Sequence, residues 1–134
     1  NFVARGKFDY LVELSSETAV RDLKPDFGLL ATLPVRGIIV TAVSTIEGVD
    51  FVSRFFAPAL GINEDPVTGS AHCTLGAFYR EILGTTEMVA FQASERGGTV
   101  KISMHEDRIL LSGQAVSISK GEILVTEIEE PDPV

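Results

Sequence analysis

The sequence predicts an α+β fold, in which a mainly antiparallel, curled sheet is wrapped around one central helix. Three observations carry this expectation. Only the segment between residues 65 and 84 has the length and the end signals of a substantial helix. Short runs rich in β-branched and aromatic residues recur on both sides of it. After it, turns of two or three residues separate those runs, which implies hairpins rather than βαβ crossovers.

Residues 9–14 alternate in part and read as a strand. Residues 16–23 read as a short helix with Ser15 or Ser16 as its cap. Asp26 is placed to cap a second short helix that runs to Leu33 and is entered from Pro25. Residues 37–43 (GIIVTAV) have the pattern of a buried strand, and residues 51–57 form another, ended by Pro58. The central helix starts between Asp65 and Gly69 and ends before Gly84. Pro66 suits a first helical position, and Gly84 suits the residue after the last turn. Leu75, Ala77, Phe78, Tyr79, Ile82 and Leu83 cover more than one narrow stripe, so burial on several sides is expected. Strands then follow at 88–93, 99–104, 108–112, 115–119 and 122–128. Their turns are marked by Gly97-Gly98, Glu106-Asp107, Gly113-Gln114 and Lys120-Gly121.

The 134 residues suit a single domain, residues 1–134, with 45% hydrophobic residues to build a core. Apolar runs fall far short of the roughly 20 residues needed to cross a bilayer, so no membrane partner is expected. The net charge is −8, and the 11 Lys and Arg form no basic stripe. Nucleic acid is therefore not an expected partner, because neutralising phosphates takes clustered cations. Acidic residues gather only at Glu127, Glu129, Glu130 and Asp132, which read as a solvated end. The one cysteine, Cys73, permits no intrachain disulfide. It fits a reducing compartment and, with no signal peptide visible, a cytoplasmic location. The chain begins with Asn1 rather than Met, as expected of a piece of a longer protein.

Groups that carry chemistry converge in one segment, residues 61–73 (GINEDPVTGSAHC). Gly69, Ser70 and Ala71 have little bulk, so a ligand can approach their N–H groups, which are among the unpaired donors of a helix start. With the helix dipole, worth about 0.3–1 kcal/mol at a surface, these donors suit a carboxylate. The hydroxyls of Ser70 and Thr68 add selectivity. Asp65 has two readings. It is an N-cap ahead of Pro66, or it faces the ligand to hold an amine or relay a proton. The two are partly exclusive, because a capping carboxylate has a lowered pKa and is a poor base near neutrality.

His72 reads first as a packed or capping-region histidine. Residues two apart do not share a helix face, so a Ser70–His72 nucleophile pair is not expected. Cys73 reads as a buried small hydrophobe, with an acidified thiol as the rarer alternative. His72, Cys73 and His105 lack metal spacing, so no metal is expected. Gly97-Gly98 lacks the Walker spacing and reads as a hairpin turn rather than a phosphate loop. Arg54 and Arg96 each read either toward the Asp65 region or into a surface pair.

The run Ser53-Arg54-Phe55-Phe56-Ala57-Pro58, then Gly61-Ile62, then Glu64-Asp65-Pro66-Val67-Thr68-Gly69-Ser70-Ala71-His72-Cys73 resembles the signature of the PhzF-like (phenazine-biosynthesis) family. Residues 92–98 (QASERGG), the Ser112-Gly113 turn, Leu23-Lys24-Pro25-Asp26 and residues 37–41 continue the likeness, which covers nearly the whole chain. The resemblance implies the diaminopimelate-epimerase-like fold: two similar halves, each a sheet around a helix, with the active site between them. This chain resembles the C-terminal half. Members of the family resemble proton-shuttling isomerases and epimerases that use no cofactor, and the phenazine enzyme isomerises a dihydro-hydroxyanthranilate. By that likeness Asp65 is the catalytic residue and contacts the substrate's amino or hydroxyl group. The backbone of Gly69, Ser70 and Ala71 binds its carboxylate, with Thr68 and His72 in the same substrate-binding wall.

The N-terminal half, which supplies a catalytic glutamate and a glycine–histidine pair in the family, is not found here. Ser16-Glu17-Thr18 echoes the glutamate's context, but Val12 and Leu14 stand where the glutamate and an asparagine belong. Asp65 occupies the neighbourhood from which a thiol works in cysteine-type epimerases of this fold. The expectation is an isomerase half-domain that binds a small amino- or hydroxy-carboxylic acid, with its glutamate on the other half and no activity alone. A non-catalytic binding protein that retains the fold is the alternative. A homodimer imitating the two-half cleft is a third arrangement.

Overall fold

The computed structural model of the chain describes residues 2–123. Seven strands pair in sequence order: β1 (Phe2–Arg5), β2 (Asp9–Glu13), β3 (Gly37–Val43), β4 (Phe51–Phe56), β5 (Glu87–Gln92), β6 (Gly98–Met104) and β7 (Ile109–Ser112). Pairs β2–β3 and β4–β5 are parallel and the other four are antiparallel. Each parallel pair needs a crossover. The first carries two short helices, α1 (Glu17–Arg21) and α2 (Phe27–Leu30). The second carries a 3-10 turn, Pro58–Leu60, and the long helix α3 (Gly69–Leu83).

The caps follow from the residue types. Ser16 accepts from Ala19 N–H at 3.1 Å, and Asp26 accepts from Leu29 N–H at 3.0 Å, each satisfying a donor of a helix start. Gly84 ends α3 at φ 66°, a left-handed conformation that only glycine adopts freely, and its N–H bonds to Arg80 O at 2.9 Å.

Alternation along β3 and β4 sorts their side chains onto two faces. Ile39, Phe51 and Phe55 join Leu11, Leu75, Tyr79, Met88 and Ile102 under α3. Ile38, Val40, Val52 and Phe56 face the other way, against Val20 of α1 and Phe27 of α2. The sheet curls around α3. Phe2 of β1, at one edge, stacks on Phe78 at 5.5 Å between centroids. A Cβ on Gly76 would lie 3.1 Å from Ile102 and 3.8 Å from Ile109 of β7, at the other edge. At the centre, Tyr79 stacks on Phe51 at 4.2 Å and 9°, worth ~1 kcal/mol beyond area burial. Thr41 donates to Val52 O at 2.6 Å, leaving its oxygen to accept from the Tyr79 hydroxyl at 3.1 Å. Burial pushes the Tyr79 pKa up to about 12.

Four expectations are corrected. Pro66 is not the first residue of α3, which begins at Gly69. Helix α3 buries one stripe, Ala71, His72, Leu75, Gly76 and Tyr79, whereas Ile82 and Leu83 are exposed, because the sheet reaches one side of it. Cys73 is exposed rather than buried, since it falls between the buried pair at 71–72 and Leu75. Residues 115–119 form no strand; Ala115 to Ser119 find no ladder partner beyond β7. Of the expected strand at 122–128, residues 122 and 123 are not in a strand, and the remainder, like the acidic end, lies outside the described residues.

Candidate functional site

The segment that leads into α3 is held in place by three side chains distant in sequence. Gln92, at the end of β5, is fully buried. Its Oε1 accepts from Thr68 N–H at 2.7 Å, and its Nε2 donates to Asp65 O at 2.6 Å and to Thr68 Oγ1 at 3.3 Å. Ser94 donates to Pro66 O at 2.7 Å. Arg54 of β4 binds both oxygens of Glu64, at 2.7 and 2.8 Å, and donates to the carbonyls of Val20 and Arg21, which α1 leaves free at its end, and to that of Leu23 beyond it. These bonds explain why the helix does not start at Pro66. The carbonyls of Asp65 and Pro66, which would open the helical ladder, are committed to side chains of another strand and loop.

Asp65 is consequently not the N-cap. Thr68 occupies that position, yet makes no capping bond with its side chain. Its hydroxyl donates instead to Asp65 Oδ2. Gln92 Nε2 occupies an acceptor site on the same hydroxyl, which favours the direction of the Thr68-to-Asp65 bond. The first turn of α3 is left without a side-chain cap, and Gly69 and Ser70 are exposed there.

The other expected residues separate. Ser70 Oγ accepts from Arg36 Nη2 at 3.0 Å, and the Arg36 guanidinium forms a two-point pair with Asp9, the closer contact being Nη2 to Oδ2. The Asp9 bond raises the Arg36 pKa above its ordinary value against the opposing effect of burial. Ala71 is buried. His72 has no exposed surface. Nδ1–H donates to Thr68 O at 2.7 Å, the ring lies 6.3 Å from that of Phe51, and Nε2 has no partner. Burial lowers the His72 pKa, opposed by the Thr68 carbonyl, so the ring is neutral at neutral pH. Its side chain thus supports the segment from inside rather than meeting solvent.

A groove of about 690 Å³ opens beside the start of α3, lined by Val67, Gly69, Arg96, Gly97, Gly98 and Leu111 among others. Gly97 has φ 70°, and a Cβ on Gly98 would stand 2.4 Å from Val67 Cγ2, so the hairpin approaches the segment at a distance only glycine permits. A smaller pocket of about 310 Å³ lies on the Ser70 side and includes Arg36, Asp9 and Cys73. The sequence does not mark Gln92 and Arg36 as site residues. Both lie in or beside runs that resemble the family, residues 92–98 and 37–41, and that is the available signal. Among the described residues no group of three His, Cys, Asp or Glu is placed to hold a metal, and no helix is long and apolar enough to cross a membrane.

Comparison with known proteins bears on the family and the fold. The family described as phenazine biosynthesis-like protein (PhzC-PhzF) matches residues 1–121. An uncharacterized isomerase of Halalkalibacterium halodurans is 52% identical over 124 residues, 92% of this chain and 47% of that protein. An uncharacterized isomerase of Pseudomonas aeruginosa is 50% identical over 113 residues, 84% of this chain and 42% of that protein. The crystal structure of a PhzF-family phenazine biosynthesis protein from Enterococcus faecalis superimposes with a TM-score of 0.82 at 40% identity, covering 92% of this chain and 46% of that one. The chain spans about half the length of these curated relatives.

Proposed function

The chain belongs to the phenazine biosynthesis-like (PhzC-PhzF) family, and from that premise we propose that it is one wall of the active site of an isomerase acting on a small amino- or hydroxy-carboxylic acid. The observation that carries the reading is the uncapped start of α3, where Thr68 turns its hydroxyl to Asp65 and leaves the first-turn N–H groups without a side-chain partner. Those donors and the Ser70 hydroxyl hold the substrate carboxylate. Asp65, oriented by the Thr68 hydroxyl, accepts from the substrate's amino or hydroxyl group and positions it. The proton is moved by a glutamate of the other half of the parent protein. The chain uses no cofactor in this reading, acts in the cytoplasm and needs its N-terminal half as partner.

The test is deuterium incorporation from heavy water into a panel of small amino and hydroxy acids by the full-length protein. Exchange into one class is expected, reduced roughly 100-fold or more by Asp65→Asn and by Ser70→Ala with the fold intact. Wild-type exchange rates in both variants would sink the assignment.

A further inference from the structure

We infer that Arg36 is a positioning residue for Ser70: by donating to Ser70 Oγ it directs the hydroxyl proton away from the protein and toward the bound carboxylate. The inference rests on the carboxylate-site reading above. A serine hydroxyl has one proton and two acceptor sites. The guanidinium occupies an acceptor side at 3.0 Å and offers no acceptor in return, so the Ser70 proton cannot be spent on Arg36.

The guanidinium is itself over-determined. Asp9, only 6% exposed, binds it at two points. The rings of Phe8 and Phe55 lie 5.4 and 5.8 Å from its carbon, and the Arg36 N–H bonds to Phe8 O at 2.7 Å. The β2–β3 register, with Asp9 beside Gly37, brings the acid and the arginine to the same end of the sheet as the start of α3. Close packing adds to this: a Cβ on Gly37 would stand 2.3 Å from Phe55, so the backbone next to Arg36 runs directly over that ring. Asp9 offsets most of the arginine's charge, which leaves hydrogen-bond direction rather than bulk attraction as its contribution.

A purely structural Arg36 would lower stability and leave ligand affinity alone. The test therefore reads affinity through a double-mutant cycle in the full-length protein, with anthranilate as the probe and calorimetry as the readout. Arg36→Met is expected to weaken anthranilate binding about tenfold, the range for a charge-assisted bond, and to change it less than about twofold when Ser70 is already Ala. Arg36→Lys, which keeps a donor, is expected to recover part of the loss. If Ser70→Ala weakens binding and Arg36→Met does not, the inference is overturned and the carboxylate site stands. An Arg36→Met effect of the same size in both Ser70 backgrounds also overturns it, since the arginine then acts by another route. If the wild-type protein does not bind anthranilate, or Ser70→Ala binds it as wild type does, the carboxylate-site reading fails and the inference fails with it.

Discussion

Gln92 and Thr68 are joined twice, by Thr68 N–H to Gln92 Oε1 at 2.7 Å and by Gln92 Nε2 to Thr68 Oγ1 at 3.3 Å, across a gap of 24 residues. The same amide group also holds Asp65 O. One buried side chain therefore sets both the start of α3 and the attitude of Asp65. Gln92→Leu keeps the approximate volume and removes every partner. Leaving the buried Thr68 N–H and the partly buried Asp65 O unsatisfied is expected to destabilise the protein by roughly 2–4 kcal/mol, read from urea denaturation. A loss below ~1 kcal/mol would mean that water or a rearranged loop replaces the amide.

Gly98 and Val67 make the second constraint on the segment. A methyl group at position 98 would meet Val67 Cγ2 at 2.4 Å, and a valine side chain cannot swing away freely. Gly98→Ala is expected to cost about 1–3 kcal/mol, with most of the loss recovered in the Gly98→Ala, Val67→Ala double variant. Equal destabilisation in the single and double variants would place the strain elsewhere.

Glu17 predicts an acid limb of stability. Burial works to raise its pKa, but the Thr45 N–H, the Arg21 side chain and the hydroxyls of Thr45 and Ser44 outweigh burial and lower it from 4.5 to about 2. A depressed folded pKa contributes stability above the unfolded value, and that stability is lost as pH falls through the folded one. The loss attributable to Glu17 is expected between about pH 4.5 and pH 2. Glu17→Gln should be less stable at pH 7 by ~2 kcal/mol and flatter across that window. Parallel pH–stability curves for the two proteins would remove Glu17 from the account.

Local signals were legible where local chemistry decides. Ser16, Asp26 and Gly84 announce their helix ends because each satisfies, or frees itself for, a neighbour within four residues. β3 and β4 announce themselves because burial on both faces leaves runs rich in apolar residues, broken only by Thr41 in β3 and by Ser53-Arg54 in β4. The Asp65-Pro66 pair misleads because its strong capping signal is overridden by Gln92 and Ser94, residues that no short window contains. β1 carries no such signal, because Phe2–Arg5 is an edge strand, mostly exposed, with no alternation to read. The two parallel pairings are illegible for a related reason. They depend on which strands the crossover helices bring together, and the local signal of α1 says nothing of how β2 and β3 pair.

The sequential strand order has a consequence for how the molecule is made. Because every strand from β2 onward hydrogen-bonds to the strand before it, each one leaves the ribosome with its template already synthesised. No early strand waits for a late one to fill a gap inside the sheet, so an incomplete nascent chain exposes a single growing edge, which the next strand covers.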